Sequence, residues 1–71
     1  MLHPLKLKRL ENGLSQHALS FISGVPQVRI CYQERGFPAL NDRQKEAIAK
    51  ALNCSVESLF PKNTEELRHP K

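Results

Sequence analysis

Sulfur chemistry is nearly missing from this 71-residue chain: it has two cysteines, Cys31 and Cys54, 23 residues apart. Neither belongs to a Cys-x-x-Cys pair and no histidine is spaced as a partner ligand, which argues against a zinc module and against a disulfide scaffold. One bridge between the two remains open, but two reduced, packed thiols in a cytosolic protein are the simpler reading. No apolar run approaches the roughly eighteen residues of a membrane span, and residues 1–10 alternate Leu with Lys instead of building a signal-peptide core. The expectation is a soluble, cytoplasmic protein with no membrane partner. There is no glycine-rich phosphate loop, His3, His17 and His69 are scattered, and no Asp or Glu pair suggests a shared concave site. Cys31 stands beside Tyr32 without an adjacent histidine to activate it. Neither an enzyme nor a bound metal or cofactor is expected.

A chain this short makes one small domain, burying only about 60% of the surface that its unfolded form exposes, so the stability margin is thin. Apolar residues nevertheless recur from Leu5 to Phe60, as a compact helical domain needs. Eleven Lys and Arg stand against seven Asp and Glu, for a net charge of +4. Up to Pro38 the balance is five basic to two acidic, and from Ala39 onward six to five, so the excess sits in the first half. A surface facing phosphates needs such an excess, although many small proteins carry as much charge for solubility alone.

Punctuation along the chain predicts five helices. Pro4 suits the first turn of a helix over residues 5 to about 12, ended by Gly13. Ser15 caps a second helix reaching about residue 22, with Ala18, Leu19 and Ile22 facing inward. After the break at residues 23–25, Pro26 suits the first position of a third helix, which has no conventional cap, runs to about residue 34 and is terminated by Gly36. Asn41 and Gln44 have the spacing of a capping box for a fourth helix over residues 42–52 that buries Ala47, Ile48, Ala51 and Leu52, with Asn53 as a left-handed cap. Ser55 caps a last short helix over residues 56–60, closed by Pro61. Residues 28–32 are β-branched enough to mimic a strand on a propensity scale, but the turns on either side leave no room for one. The expected organisation is an all-α domain over residues 1–61 and a flexible tail over 62–71, in which Asn63 and Thr64 can cap an extra turn.

Residues 15–36 are the informative unit. Two short helices joined by a tight glycine-containing turn give the crossing in which one helix braces while the other enters a major groove. With Ile30 as the inward anchor, successive steps of about 100° put Gln33 and Glu34 within about 60° of it, and Val28, Tyr32 and Arg35 on the opposite side. Outward Val28 and Tyr32 suit thymine methyls and base edges, Gln27 near the helix start can pair with adenine, and Arg29 on the flank suits phosphate. By periodicity alone, Val28 and Tyr32 are equally suited to packing on another protein or a neighbouring helix.

Gly13-Leu14-Ser15-Gln16, Ala18-Leu19, Gly24-Val25, Ile30, Glu34-Arg35-Gly36, Ile48-Ala49, Ala51-Leu52 and Leu59-Phe60 form an ordered set that resembles the Cro and phage-repressor (XRE) type of helix-turn-helix protein over residues 5–61. The resemblance implies a five-helix, lambda-repressor-like DNA-binding domain acting as a small transcriptional regulator. It implies that Gln16 touches a phosphate and supports base reading, that Gln27, Val28 and Tyr32 read bases, and that Arg29, Arg35 and Arg9 serve the backbone or support the site. It further implies a partly buried Arg9–Glu34 ion pair and a homodimer on a pseudo-palindrome, with Phe37, Pro38, Val56 and Phe60 nominated for the contact. Monomers that pair only on DNA fit the sequence as well. Three departures put the target sequence in doubt. Ser20 stands at a site of tightly packed alanine and needs a hydroxyl partner, expected one turn back. Pro26 replaces a common Ser or Thr, and Gln33 replaces a large apolar residue, leaving an amide in need of hydrogen bonds. The competing reading is an antitoxin-like or accessory module that binds a protein partner through the same outward face.

Overall fold

The computed structural model describes residues 3–61, so the expectations for residues 62–71 lie outside the described residues. Five helices follow one another: α1 (Pro4–Glu11), α2 (Gln16–Ser23), α3 (Gln27–Glu34), α4 (Asp42–Ala51) and α5 (Val56–Leu59). Among the described residues there is no strand, which agrees with the all-α expectation.

Side chains fix most of the helix starts by satisfying backbone N–H groups that have no partner within the helix. The His3 ring Nδ1 accepts from the Leu5 N–H at 3.0 Å, ahead of Pro4 at the first helical position. Ser15 Oγ accepts from Ala18 N at 3.0 Å, and Ser55 Oγ from Ser58 N at 3.3 Å. The capping box is complete: Asn41 Oδ1 accepts from Gln44 N at 2.8 Å while Gln44 Oε1 accepts from Asn41 N at 3.1 Å. Helix α3 has no side-chain cap, and Pro26 occupies the cap itself, one residue earlier than its sequence position suggested, at φ −56° and ψ 137°.

The helix ends are equally specified. Beyond α3 the chain turns through Gly36 at φ 99°, with Gly36 N–H bonded to Gln33 O and Phe37 N–H to Tyr32 O, both at 3.0 Å. This paired closure satisfies two terminal carbonyls and requires a residue that enters the left-handed region cheaply. The same pattern follows α4, where Asn53 takes φ 58° and its N–H bonds Lys50 O at 3.1 Å, with Cys54 N–H on Ala49 O at 3.0 Å.

Each helix gives a fully buried side chain to one core, namely Leu5, Leu19, Ile30, Ile48 and Leu59. Each such burial stabilises by about 1.5–3 kcal/mol relative to exposure. Helix α2 packs on both α3 and α4, α1 packs on α3 and α5, and α4 packs on α5. On α4, Ala49 is buried as well as Ile48, while Ala47 and Ala51 are only half-buried against the core.

Two expectations for α2 are corrected. Ile22 does not face inward but is 55% exposed; the left-handed turn at Gly24 brings Val25 into the core, and Val25 fills the apolar space at that end. Ser20 does not bond a carbonyl one turn back. Its Oγ donates forward to Val25 O at 2.6 Å and ties the turn shut, while the backward bond is made by Ser23 Oγ to Leu19 O at 2.8 Å.

Candidate functional site

The residues singled out on α3 divide into held ones and exposed ones. Ile30 and Gln33 are buried, and Glu34 keeps 3% of its side chain exposed. Gln27, Val28, Tyr32 and Arg35 are exposed, with Val28 at 58% and Tyr32 at 47%. An outward valine and tyrosine on a helix whose inner face is already packed form a surface with unmet apolar area and a hydroxyl able to donate or accept.

Behind that surface lies a polar junction between three helices. Arg9 Nε donates to Glu34 Oε2 at 2.7 Å and Arg9 Nη2 to Glu34 Oε1 at 3.1 Å, a two-point pair that links α1 to the last turn of α3. Arg9 Nη1 donates to Leu14 O at 2.7 Å, and Gln16 Nε2, at the start of α2, donates to Glu34 Oε1 at 3.0 Å. Charge-assisted bonds of this kind are about twice as strong as neutral ones, and the planar guanidinium matches the carboxylate fork. Gln16 thus spends one amide N–H on Glu34. Every buried side-chain N and O among the described residues has a partner. The Arg9–Glu34 pair is the one that the resemblance implied, but the entry of Leu14 O and Gln16 into the junction had no signal in the sequence, because it depends on how the α1–α2 turn closes.

A second polar junction had no sequence signal beyond the oddness of Gln33. Its Oε1 accepts from Ala39 N at 2.9 Å, while Arg29 Nη1 donates to Ala39 O at 2.9 Å. Arg29 was nominated for phosphate, and the structure gives it an intramolecular partner, while the residue as a whole is exposed.

Comparison with family models, with curated proteins and with solved structures returns no match. Among the described residues, no three His, Cys, Asp or Glu side chains gather closely enough to hold a metal ion. Cys31 and Cys54 are both free and half-buried. A shallow groove of about 200 Å³ between α1 and α5 is lined by Pro4, Leu7, Lys8, Glu11, Ser58 and Leu59, and its two charged groups lie 3.6 Å from each other. No described helix is long and apolar enough to cross a membrane.

The nominated dimer residues are placed unequally. Phe37 and Pro38 are exposed at the end of α3, and Val56 is half-buried against the core. Phe60 is a core residue, 4% exposed, with the His3 ring 6.2 Å away and Lys45 Nζ 5.4 Å from its centroid. Its side chain is therefore committed within the chain, which leaves Phe37 and Pro38 as the exposed members of the nominated set. Phe21, at 86% exposure and beside exposed Ile22, makes an apolar projection on the outer side of α2.

Proposed function

We propose that this chain is a sequence-specific double-stranded-DNA-binding protein with a lambda-repressor-like fold, in which α2 and α3 form the helix-turn-helix unit and α3 enters the major groove. The observation that carries the reading is the division of α3: Val28 and Tyr32 are exposed on the face opposite buried Ile30, Gln27 is exposed at the first turn, and Ile30, Gln33 and Glu34 anchor the helix. A helix held this firmly from behind, with an amide, a branched apolar group and a phenol turned outward, suits the donor, acceptor and methyl pattern of a major groove. Gln16 at the N-terminus of α2 supplies a free amide N–H for a phosphate, and exposed Arg35 adds charge at the far end of α3. One such helix reads only a few base pairs, so the active form is a homodimer on a pseudo-palindromic operator with half-sites about 34 Å apart, assembled in solution or on the DNA. The role is that of a small transcriptional regulator, in the sense of a repressor.

Selection from a random duplex library, followed by binding of the enriched sequence at two salt concentrations, tests this reading. A palindromic site with steeply salt-dependent affinity supports it. Gln27→Ala and Tyr32→Ala should each weaken binding to the selected duplex by about 1–3 kcal/mol while leaving random duplex unchanged; equal losses on both would remove base reading.

A second reading is favoured by one specific feature. Between Glu11 and Arg29 the chain has no Asp, Glu, Lys or Arg, and Phe21 and Ile22 project from that stretch. An uncharged, apolar projection suits a protein partner, as in an antitoxin-like or accessory module, and binding there would be far less sensitive to salt than phosphate contacts are.

A further inference from the structure

Helix α3 is braced from two flanks. About its axis, with Ile30 pointing inward, Glu34 lies roughly 40° to one side, and Gln33 and Arg29 lie roughly 60° and 100° to the other. Glu34 is tied to α1 and α2 through Arg9 and Gln16. On the other flank, Gln33 Oε1 takes the Ala39 N–H and Arg29 Nη1 reaches the Ala39 carbonyl, each at 2.9 Å. Both backbone polar groups of one loop residue are therefore held by two α3 side chains four residues apart. The loop is itself anchored onward, by buried Leu40 and by the Asn41 capping box at the start of α4.

Gln33 is 2% exposed. An apolar residue would fill that space without the cost of burying an amide, so the glutamine provides something packing does not require. We infer that Gln33 and Arg29 are positioning residues that set the rotation of α3 about its own axis, and with it the angle at which Gln27, Val28 and Tyr32 meet a base edge. The inference rests on the reading of α3 as the base-reading helix. A rotation of about 20° moves side-chain tips about 6 Å from the helix axis by about 2 Å, which is more than a hydrogen bond tolerates. Arg29 thereby acts through the loop instead of through a phosphate.

The experiment compares wild type, Gln33→Met, Arg29→Met and the double variant for affinity to the selected duplex and to random duplex across a salt series. Gln33→Met changes no charge, so a loss of about tenfold in the selected-over-random ratio, with random-duplex affinity and salt slope unchanged, is the expected result. Arg29→Met should lower the same ratio by a smaller factor, its bond being exposed, and the double variant should match Gln33→Met alone because the clamp acts as one unit. Equal losses on both duplexes for Arg29→Met, with the salt slope reduced by about 0.9, would overturn the inference and return Arg29 to the phosphate backbone. A folded Gln33→Met with an unchanged ratio would overturn it too. Where circular dichroism shows Gln33→Met unfolded, the ratio for Arg29→Met decides. Failure of wild type itself to prefer any duplex is a separate result, which removes the DNA reading and this inference together.

Discussion

Breaking the Arg9–Glu34 pair from one side should be far more damaging than removing it entirely. Glu34→Leu leaves a guanidinium with 7% of its side chain exposed and Leu14 O as its remaining acceptor; Arg9→Met leaves a carboxylate at 3% exposure with only the Gln16 amide. Stranding one charge of a buried pair costs about 3–5 kcal/mol, because the desolvation of the remaining ion is no longer offset. The double variant puts two apolar side chains of similar length into the same space. It should lie within about 1–2 kcal/mol of wild type, since desolvation consumes much of what the pair gains. At about 0.05–0.15 kcal/mol per residue, a domain of this size has a total stability of about 4–10 kcal/mol. Each single variant should therefore lose a large part of its urea midpoint, and the double variant should regain most of it. The cycle, read from urea unfolding with the m-value held as a check, should be non-additive by more than about 2 kcal/mol. Added salt should change the coupling little, because so buried a pair is screened weakly. Singles that each cost less than about 1 kcal/mol, or that simply add in the double variant, would refute the argument that this junction is a desolvated, mutually dependent unit.

Other substitutions test separate elements. Gly24→Ala places a Cβ with no heavy atom within 4 Å, so its cost comes from φ 78° alone; a loss of about 1–2 kcal/mol in thermal unfolding is expected, and no loss would mean that the turn relaxes. Asn41→Ala removes the cap of α4 and should cost about 1 kcal/mol by the same assay, with Gln44→Ala giving the smaller part of that loss. Phe21→Ser and Ile22→Ser should leave stability within about 0.5 kcal/mol and leave operator affinity intact, because both side chains point into solvent; loss of DNA binding in either would show that α2 meets the ligand with this end.

Most of the fold could be read from the sequence because it is punctuated by local chemistry. Ser15, Asn41 and Ser55 act on N–H groups three residues away, and Gly36 and Asn53 close helices by bonds that span only the last turn. Ile22 was misread because periodicity knows the face of a helix but not how far the covering elements extend along it. Val25, across a turn, occupies the space that the pattern assigned to Ile22. Ser20 was misdirected for the same reason, since its partner carbonyl is created by the turn and does not exist within the helix alone.

The site was legible in a more limited sense, and the limit has a physical origin. That Val28 and Tyr32 point outward follows from 100° steps, whereas Gln27, about 60° from Ile30, joined the set through its place at the helix start and through the resemblance. How that set is aimed depends on the helix's rotation, which is fixed by side chains reaching other elements: Glu34 toward Arg9 and Gln16 on one flank, Gln33 and Arg29 toward Ala39 on the other. The Gln33 and Arg29 bonds end on the backbone of Ala39, a residue whose own side chain carries no information about them. A sequence pattern records side chains and is blind to such partners. The amide at Gln33 therefore read as a defect in an apolar face, whereas in the fold it is the group that gives the loop N–H its acceptor. A defect and a brace predict opposite responses to an apolar replacement. If Gln33 were only a flaw in the core, Gln33→Met should stabilise the domain and leave recognition untouched; as a brace, it leaves the Ala39 N–H without a partner and releases the aim of α3.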